Sequence, residues 1–262
     1  MSVYVITSDD PYVRDVIEGH EHLPALTRKN ADFMEAVVRL DSTYRRDFDP
    51  NCAPDPGFDL EEDYSNSKGR YCGSVAYWFN RMQSHHEEFG ECVLGAVISI
   101  DSYNKTHLEA TLDGRRKMRD IILSCCDDVE SLKLLLLKPF AAKDKDHLVS
   151  RLTVPLDAVR KGQKRCNLSF ASKFCSYAAK FLDLPIEYSK YDGIVSENLP
   201  AYVNVYLHMA MGSRFFLCPA ESYSSKLETY EKYSDYIGRV IQASGGCVNR
   251  EEFDHIVWYA FK

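Results

Sequence analysis

The 262-residue sequence lacks long apolar runs; stretches such as Leu134 to Leu137 fall far short of the roughly 18 residues that a membrane-spanning helix needs. Its first ten residues, Met-Ser-Val-Tyr-Val-Ile-Thr-Ser-Asp-Asp, have neither a basic start nor an extended apolar segment, so no leader is read and a cytoplasmic protein without a membrane partner is expected. No two cysteines have the Cys-x2-Cys spacing of a zinc site. The nine thiols are scattered and odd in number, which points to free, buried groups in a reducing compartment, with no structural metal and no cofactor. Internal repeats and low-complexity tracts are absent. So is any excess of positive charge: 32 Lys and Arg against 39 Asp and Glu give a net charge of −7, which argues against a partner held by bulk charge.

What the sequence does contain reads as mostly α, with core enough for folding without disulfides. Val3 to Ile6 is compatible with a short strand or an apolar lead-in, and Pro11 to Ile17 with a helix. A helical period runs from Ala31 to Arg46 through Phe33, Val37, Val38, Leu40 and Tyr44. Asp47 to Asp63, with three prolines and seven acids, reads as an exposed loop; Cys52 and Phe58 stand where a calcium loop needs Gly and Glu. Ser74 to Glu88 reads as a helix whose His85 and His86 point about 100° apart at a solvated end, so they do not share a metal. Cys92 to Ile100 is open between strand and buried helix, and Leu108–Cys125 and Val129–Leu137 read as helices. Ser225 to Glu228 is a capping-box pattern before a helix that ends at Gly245-Gly246. Its tyrosines, including Tyr230 and Tyr233, are read as core and rim. Asn249 to Glu252 opens a last helix with the apolar stripe Phe253, Ile256, Val257 and Ala260.

Resolved along the chain, the charge is uneven. Residues 138 to 180 hold ten bases and three acids, 10 − 3 = +7, so the other residues sum to −7 − 7 = −14. That concentration suits a local phosphate-binding face, since neutralised phosphates release counterions. It divides the chain into residues 1–137, helical and of unassigned role, and 138–262, the two forming one compact unit.

Within the basic segment, Asp157 to Lys164 reads as a helix, a short link follows, and Leu168-Ser-Phe-Ala-Ser-Lys173 opens a second helix; Tyr191-Asp192-Gly193 follows a turn at Pro185. Two helices on a tight link, a lysine at the start of the second and an aspartate 192 − 173 = 19 positions on resemble the core of the helix-hairpin-helix DNA glycosylases of the 8-oxoguanine type. In that family a Leu-x-Gly-Val-Gly-x-Lys hairpin precedes a Pro-Val-Asp turn with the same separation. The Ser-Phe-Ala-Ser-Lys and Tyr-Asp pair is also similar to a group of bacterial proteins described by that fold. The likeness covers residues 145 to 195, with a vaguer echo in Asp254 to Trp258. Ser169 and Ala171 replace the hairpin glycines, which weakens cradling of a phosphate by backbone amides.

The resemblance implies a two-lobed helical bundle containing a helix-hairpin-helix, and a DNA glycosylase with lyase activity acting on double-stranded DNA with a flipped base. Asp192 would stabilise positive charge developing at the sugar, and Lys173 would attack C1′, which requires surroundings that favour the neutral amine. Ser169, Ser172, Lys161, Lys164 and Arg165 would meet phosphates. Phe170, Phe174, Tyr177 and Trp258 are candidates for holding the extruded base. Two other readings stay open: a non-catalytic nucleic-acid binder in which Asp192 is a helix cap, and an interaction protein whose basic segment meets an acidic partner such as the Asp47–Asp63 loop of a second copy. The base, the choice of DNA or RNA and the oligomeric state are not legible.

Overall fold

The computed structural model describes residues 23–60, 70–111, 113–157, 164–217 and 222–261, which are mostly helical. Among them are the helices α1 (Arg28–Leu40), α2 (Ser42–Phe48), α3 (Val75–Ser84), α4 (Phe89–Asn104), α5 (Gly114–Cys125) and α6 (Val129–Leu136). The series continues with α7 (Leu148–Leu152), α8 (Leu168–Phe181), α9 (Gly193–Leu207), α10 (Tyr223–Ala243) and α11 (Arg250–Phe261). The sheet content described is one antiparallel ribbon, β1 (Pro155–Asp157) with β2 (Lys164–Cys166). Val3–Ile6 and Pro11–Ile17 lie outside the described residues.

The chain divides into two units, a middle one of Asp41–Tyr188 and a terminal one that joins the chain up to Leu40 with Ser189 onward. The boundary suggested by charge at 137/138 does not coincide with either junction. The helical period read continuously from Ala31 to Arg46 is interrupted at Asp41, whose carbonyl accepts the Tyr44 amide in a turn at 3.0 Å. That break falls where one unit gives way to the other.

Helix α4 is the core of the middle unit. Its residues from Cys92 to Asp101 are all buried, so the ambiguous apolar run resolves as a helix wrapped by others and not as a strand. Each fully buried branched aliphatic side chain in it contributes about 1.5–3 kcal/mol of transfer free energy. The α4 end is tied to α5 by Asp101. Its carboxylate accepts from Thr106 Oγ1, the Leu108 amide and Arg115 Nε, each at 2.7 Å, so a buried charge is both paired and hydrogen-bonded. The stretch read as one helix from Leu108 begins as a single 3-10 turn, Leu108–Ala110, and α5 starts only at Gly114. Gly114 is required there, because a Cβ would lie 2.2 Å from the Leu108 carbonyl oxygen.

Two expectations are corrected in this unit. Asp47 is not in an exposed loop but in α2, where it is 4% exposed. Asp157 and Lys164 are not helical: they close the β1–β2 ribbon opposite one another. Pro155 is the reason, since proline disfavours the helical region for Val154 before it and ends α7 within reach of Thr153. The order before Lys173 is therefore helix, β ribbon, helix, where two helices on a tight link were expected, while residues 168 to 173 open a helix as read.

In the terminal unit α1 packs along α11, with the Arg28 guanidinium 2.6 Å from Glu252 Oε1. Tyr202 donates to the Pro24 carbonyl at 3.1 Å. The cap read at Asn249 forms in full: Asn249 Oδ1 accepts from the Glu252 amide and Glu252 Oε2 from the Asn249 amide, both at 2.8 Å. Helix α10 begins earlier than its sequence signal, because Ser222 and not Ser225 is the cap; its hydroxyl oxygen accepts from the Ser225 amide at 3.1 Å.

Candidate functional site

Lys173 lies in the second turn of α8, in the middle unit, and is 6% exposed. Among the described bases of residues 138 to 180 it alone is buried. A lysine amine in such a place needs acceptors. Its Nζ lies 3.4 Å from the carbonyl oxygen of Asn104, the last residue of α4, where the unsatisfied carbonyls and the negative end of the helix dipole favour a cation. One turn further along α8, the Tyr177 hydroxyl lies 3.0 Å from both Asn104 Oδ1 and Asp47 Oδ2. Asn104 Nδ2 in turn faces both Asp47 oxygens at 3.4 Å. Lys173, Asn104, Tyr177 and Asp47 thus form one buried polar cluster drawn from α8, α4 and α2.

The aromatic residues beside it are packing residues. Phe170 and Phe174 are fully buried, with ring centroids 5.9 Å apart, and Phe174 meets Phe79 at 5.7 Å. They leave no surface on which a base could stack, which corrects their assignment to a base pocket. Tyr177 is likewise buried, stacked at 6.0 Å on Phe181 and spent on the polar cluster. Ser172 is buried as well, and its hydroxyl donates to the Ser169 carbonyl at 3.2 Å, so it has no face for a phosphate. Ser169 and Arg165 are partly exposed and Lys164 is exposed, which keeps these three at the surface around the start of α8; Lys161 lies outside the described residues.

Asp192 belongs to the terminal unit. It is the N-cap of α9, and its Oδ1 accepts from the Ile194 amide at 2.9 Å. The segment leading to it is held by α10: Tyr230 donates to the Ser189 carbonyl and Tyr233 to the Lys190 carbonyl, both at 2.8 Å. Burial, then the carboxylates of Asp254 and Asp192, push the Tyr233 hydroxyl well above the ordinary tyrosine range. Lys190, also buried, has its Nζ 3.8 Å from Glu251 Oε1, which is 4.0 Å from His255 Nε2 one turn along α11. Arg250 donates to the Ser234 carbonyl at 2.7 Å and to the Ser189 hydroxyl. Trp258, the last base-pocket candidate, sits partly exposed on α11 with its ring 4.8 Å from that of Tyr259.

Sequence reading missed Asp47, Asn104, Lys190, Glu251 and His255. A signal existed for one pair: Glu251 and His255 are four apart on a helix that the sequence already defined. Asp47 carried the opposite signal, as the first of a run of acids. The eight described cysteines are free thiols, and among the described residues no group of three or more His, Cys, Asp or Glu side chains is placed to hold a metal ion. No described helix is long and apolar enough to cross a membrane. No protein-family model, curated protein or solved structure matches the chain.

Proposed function

We propose that the protein is a DNA glycosylase with lyase activity, in which Lys173 supplies the amine and Asp192 the carboxylate. The observation that carries this reading is the singular placement of Lys173, the one described base of a strongly basic segment that is withdrawn from solvent, 19 positions ahead of an aspartate held at a helix N-terminus. The C1′–nitrogen bond to the base breaks with its electron pair leaving on the base, and Asp192 stabilises the positive charge that develops on the sugar. Once deprotonated, the Lys173 amine donates its lone pair to C1′; one of its two remaining protons passes to the departing base and the other to the ring oxygen as the C1′–O4′ bond breaks, which gives a Schiff base. Lys164, Arg165 and Ser169 contact phosphates of double-stranded DNA, and the base is extruded to be cut.

A second reading, a nucleic-acid binder without chemistry, is favoured by the structural tasks both residues already perform: Lys173 at the end of α4 and Asp192 at the start of α9. Borohydride reduction in the presence of oligonucleotides carrying oxidised, alkylated, deaminated or abasic nucleotides separates the two. A covalent adduct that disappears in Lys173→Gln supports the enzyme. Salt-dependent binding with no adduct across the panel supports the binder.

A further inference from the structure

The loop that follows α9 in the terminal unit carries a feature that neither Lys173 nor Asp192 uses. It leaves the helix through a left-handed turn at His208 and presents Phe215 to solvent at 49% exposure. Among the described aromatic residues Phe215 alone is exposed; the others are buried or half-buried. An aromatic ring left in water costs burial energy that the fold elsewhere recovers.

The ring is held in place. The Phe215 amide donates to the Gly212 carbonyl at 3.0 Å and the Leu217 amide to that of Arg214 at 3.1 Å. Asn204 Oδ1 accepts the Met211 amide at 2.7 Å and Asn204 Nδ2 donates to the Met211 carbonyl at 3.3 Å, which ties the loop to the last turn of α9. The neighbouring Phe216 is fully buried, and the Tyr191 hydroxyl donates to its carbonyl at 2.8 Å. The Phe215 ring centroid lies 5.0 Å from that of Phe216 and 6.2 Å from that of Tyr236, both rings at 81° to it, so neither stacks flat on Phe215.

Beside this ring the Arg239 guanidinium sits over Tyr236, 4.7 Å from its centroid, with Asp235 Oδ2 at 3.8 Å. The exposed charges of α10 nearest Tyr236 balance, Lys232 and Arg239 against Glu231 and Asp235. Residues 204 to 217 hold no acid, and their Arg214 is exposed and without an ion pair among the described residues, so it sets a positive sign. An open aromatic face, a guanidinium stacked next to it and an unpaired cation match a flat base carried on a phosphate chain.

We propose that this ledge binds an unpaired nucleobase of single-stranded nucleic acid. The base stacks on Phe215 beside the Tyr236–Arg239 pair, and Arg214 meets an adjacent phosphate. The inference goes beyond the glycosylase reading and does not rest on it.

The test is fluorescence anisotropy with a labelled thymine strand of about fifteen nucleotides, set against a strand of equal length without bases. The thymines are unmodified, so the outcome is separate from adduct formation. The thymine strand is expected to bind at low salt at least about fivefold more tightly than the baseless one, and Phe215→Ala and Phe215→Leu to lose at least about fivefold of that affinity. Phe215→Trp is expected to bind as the parent does and to show saturable fluorescence quenching beyond the parent's. Arg214→Gln is expected to lower the salt dependence by about one phosphate contact. These surface substitutions keep the parental urea midpoint. Equal affinity for the two strands, parental affinity in Phe215→Ala, or no binding of the thymine strand at low salt overturns the proposal.

Discussion

Lys173 Nζ reaches the carbonyl oxygen of Asn104 at 3.4 Å, so the side chain with the strongest chemical reading is also the one that closes the C-terminal end of the central helix α4. Removing the amine leaves that carbonyl and the Asp47–Asn104–Tyr177 cluster short of a donor. Lys173→Met is expected to cost about 1–3 kcal/mol in urea denaturation. Lys173→Gln keeps a hydrogen-bond donor and is expected to lose less, which makes it the better variant for any test of chemistry. Equal stability of Lys173→Met and the parent would show that the contact contributes nothing to the fold.

Asp192 separates structure from chemistry even more cleanly. Its carboxylate caps α9 through the Ile194 amide, a task that asparagine performs equally well. Asp192→Asn is expected to unfold at the parental urea concentration yet lose adduct formation, whereas Asp192→Ala loses adduct formation together with about 1 kcal/mol of stability. An active Asp192→Asn variant would leave the residue as a cap and nothing more.

The Asp101–Arg115 pair is the main buried ion pair anchoring α5. Asp101→Ala strands the guanidinium in a site 7% exposed and is expected to cost about 3–5 kcal/mol, seen as a large fall in the urea midpoint. The double variant Asp101→Leu with Arg115→Met is expected to recover part of that loss, because no charge then remains buried. A double variant as unstable as the sum of its parts would contradict this.

His147 makes the fold sensitive to acid. Its Nδ1 accepts the Val149 amide at 3.1 Å and its Nε2 faces the Lys138 carbonyl at 3.0 Å, so the neutral ring suits both neighbours. Burial lowers its proton affinity from the ordinary histidine range. The unfolded chain therefore takes up a proton here near about pH 6.5, before the folded chain does. Its contribution to stability is full above that pH and is lost as pH falls below it. The urea midpoint is expected to drop between pH 7.5 and 5.5, and to drop less in His147→Asn, which retains a capping side chain. An unchanged slope in that variant would contradict the assignment.

How much of this was legible in the sequence follows from the range of the interactions. The capping box of Asn249 and Glu252 spans three residues and was readable in full, as was the apolar stripe of α11. The buried nature of α4 was half readable, because a continuous apolar run from Cys92 to Ile100 does not separate a strand from an enclosed helix. The β ribbon was lost because its strands have three residues each, too few for an alternating pattern. Asp47 and Lys173 meet Asn104 across 57 and 69 residues of sequence, and nothing in the local pattern of either records the other end. The basic segment was visible as a sum, but only folding distinguishes Lys173 from the exposed lysines around it.

Borohydride trapping with the panel of modified and abasic oligonucleotides, comparing the parent protein with Lys173→Gln and Asp192→Asn at matched, verified folding, decides whether Lys173 does chemistry. A protein–DNA adduct is expected with at least one member of the panel, absent in Lys173→Gln. Failure of the parent to trap any of them, or an adduct that survives in Lys173→Gln, would contradict it.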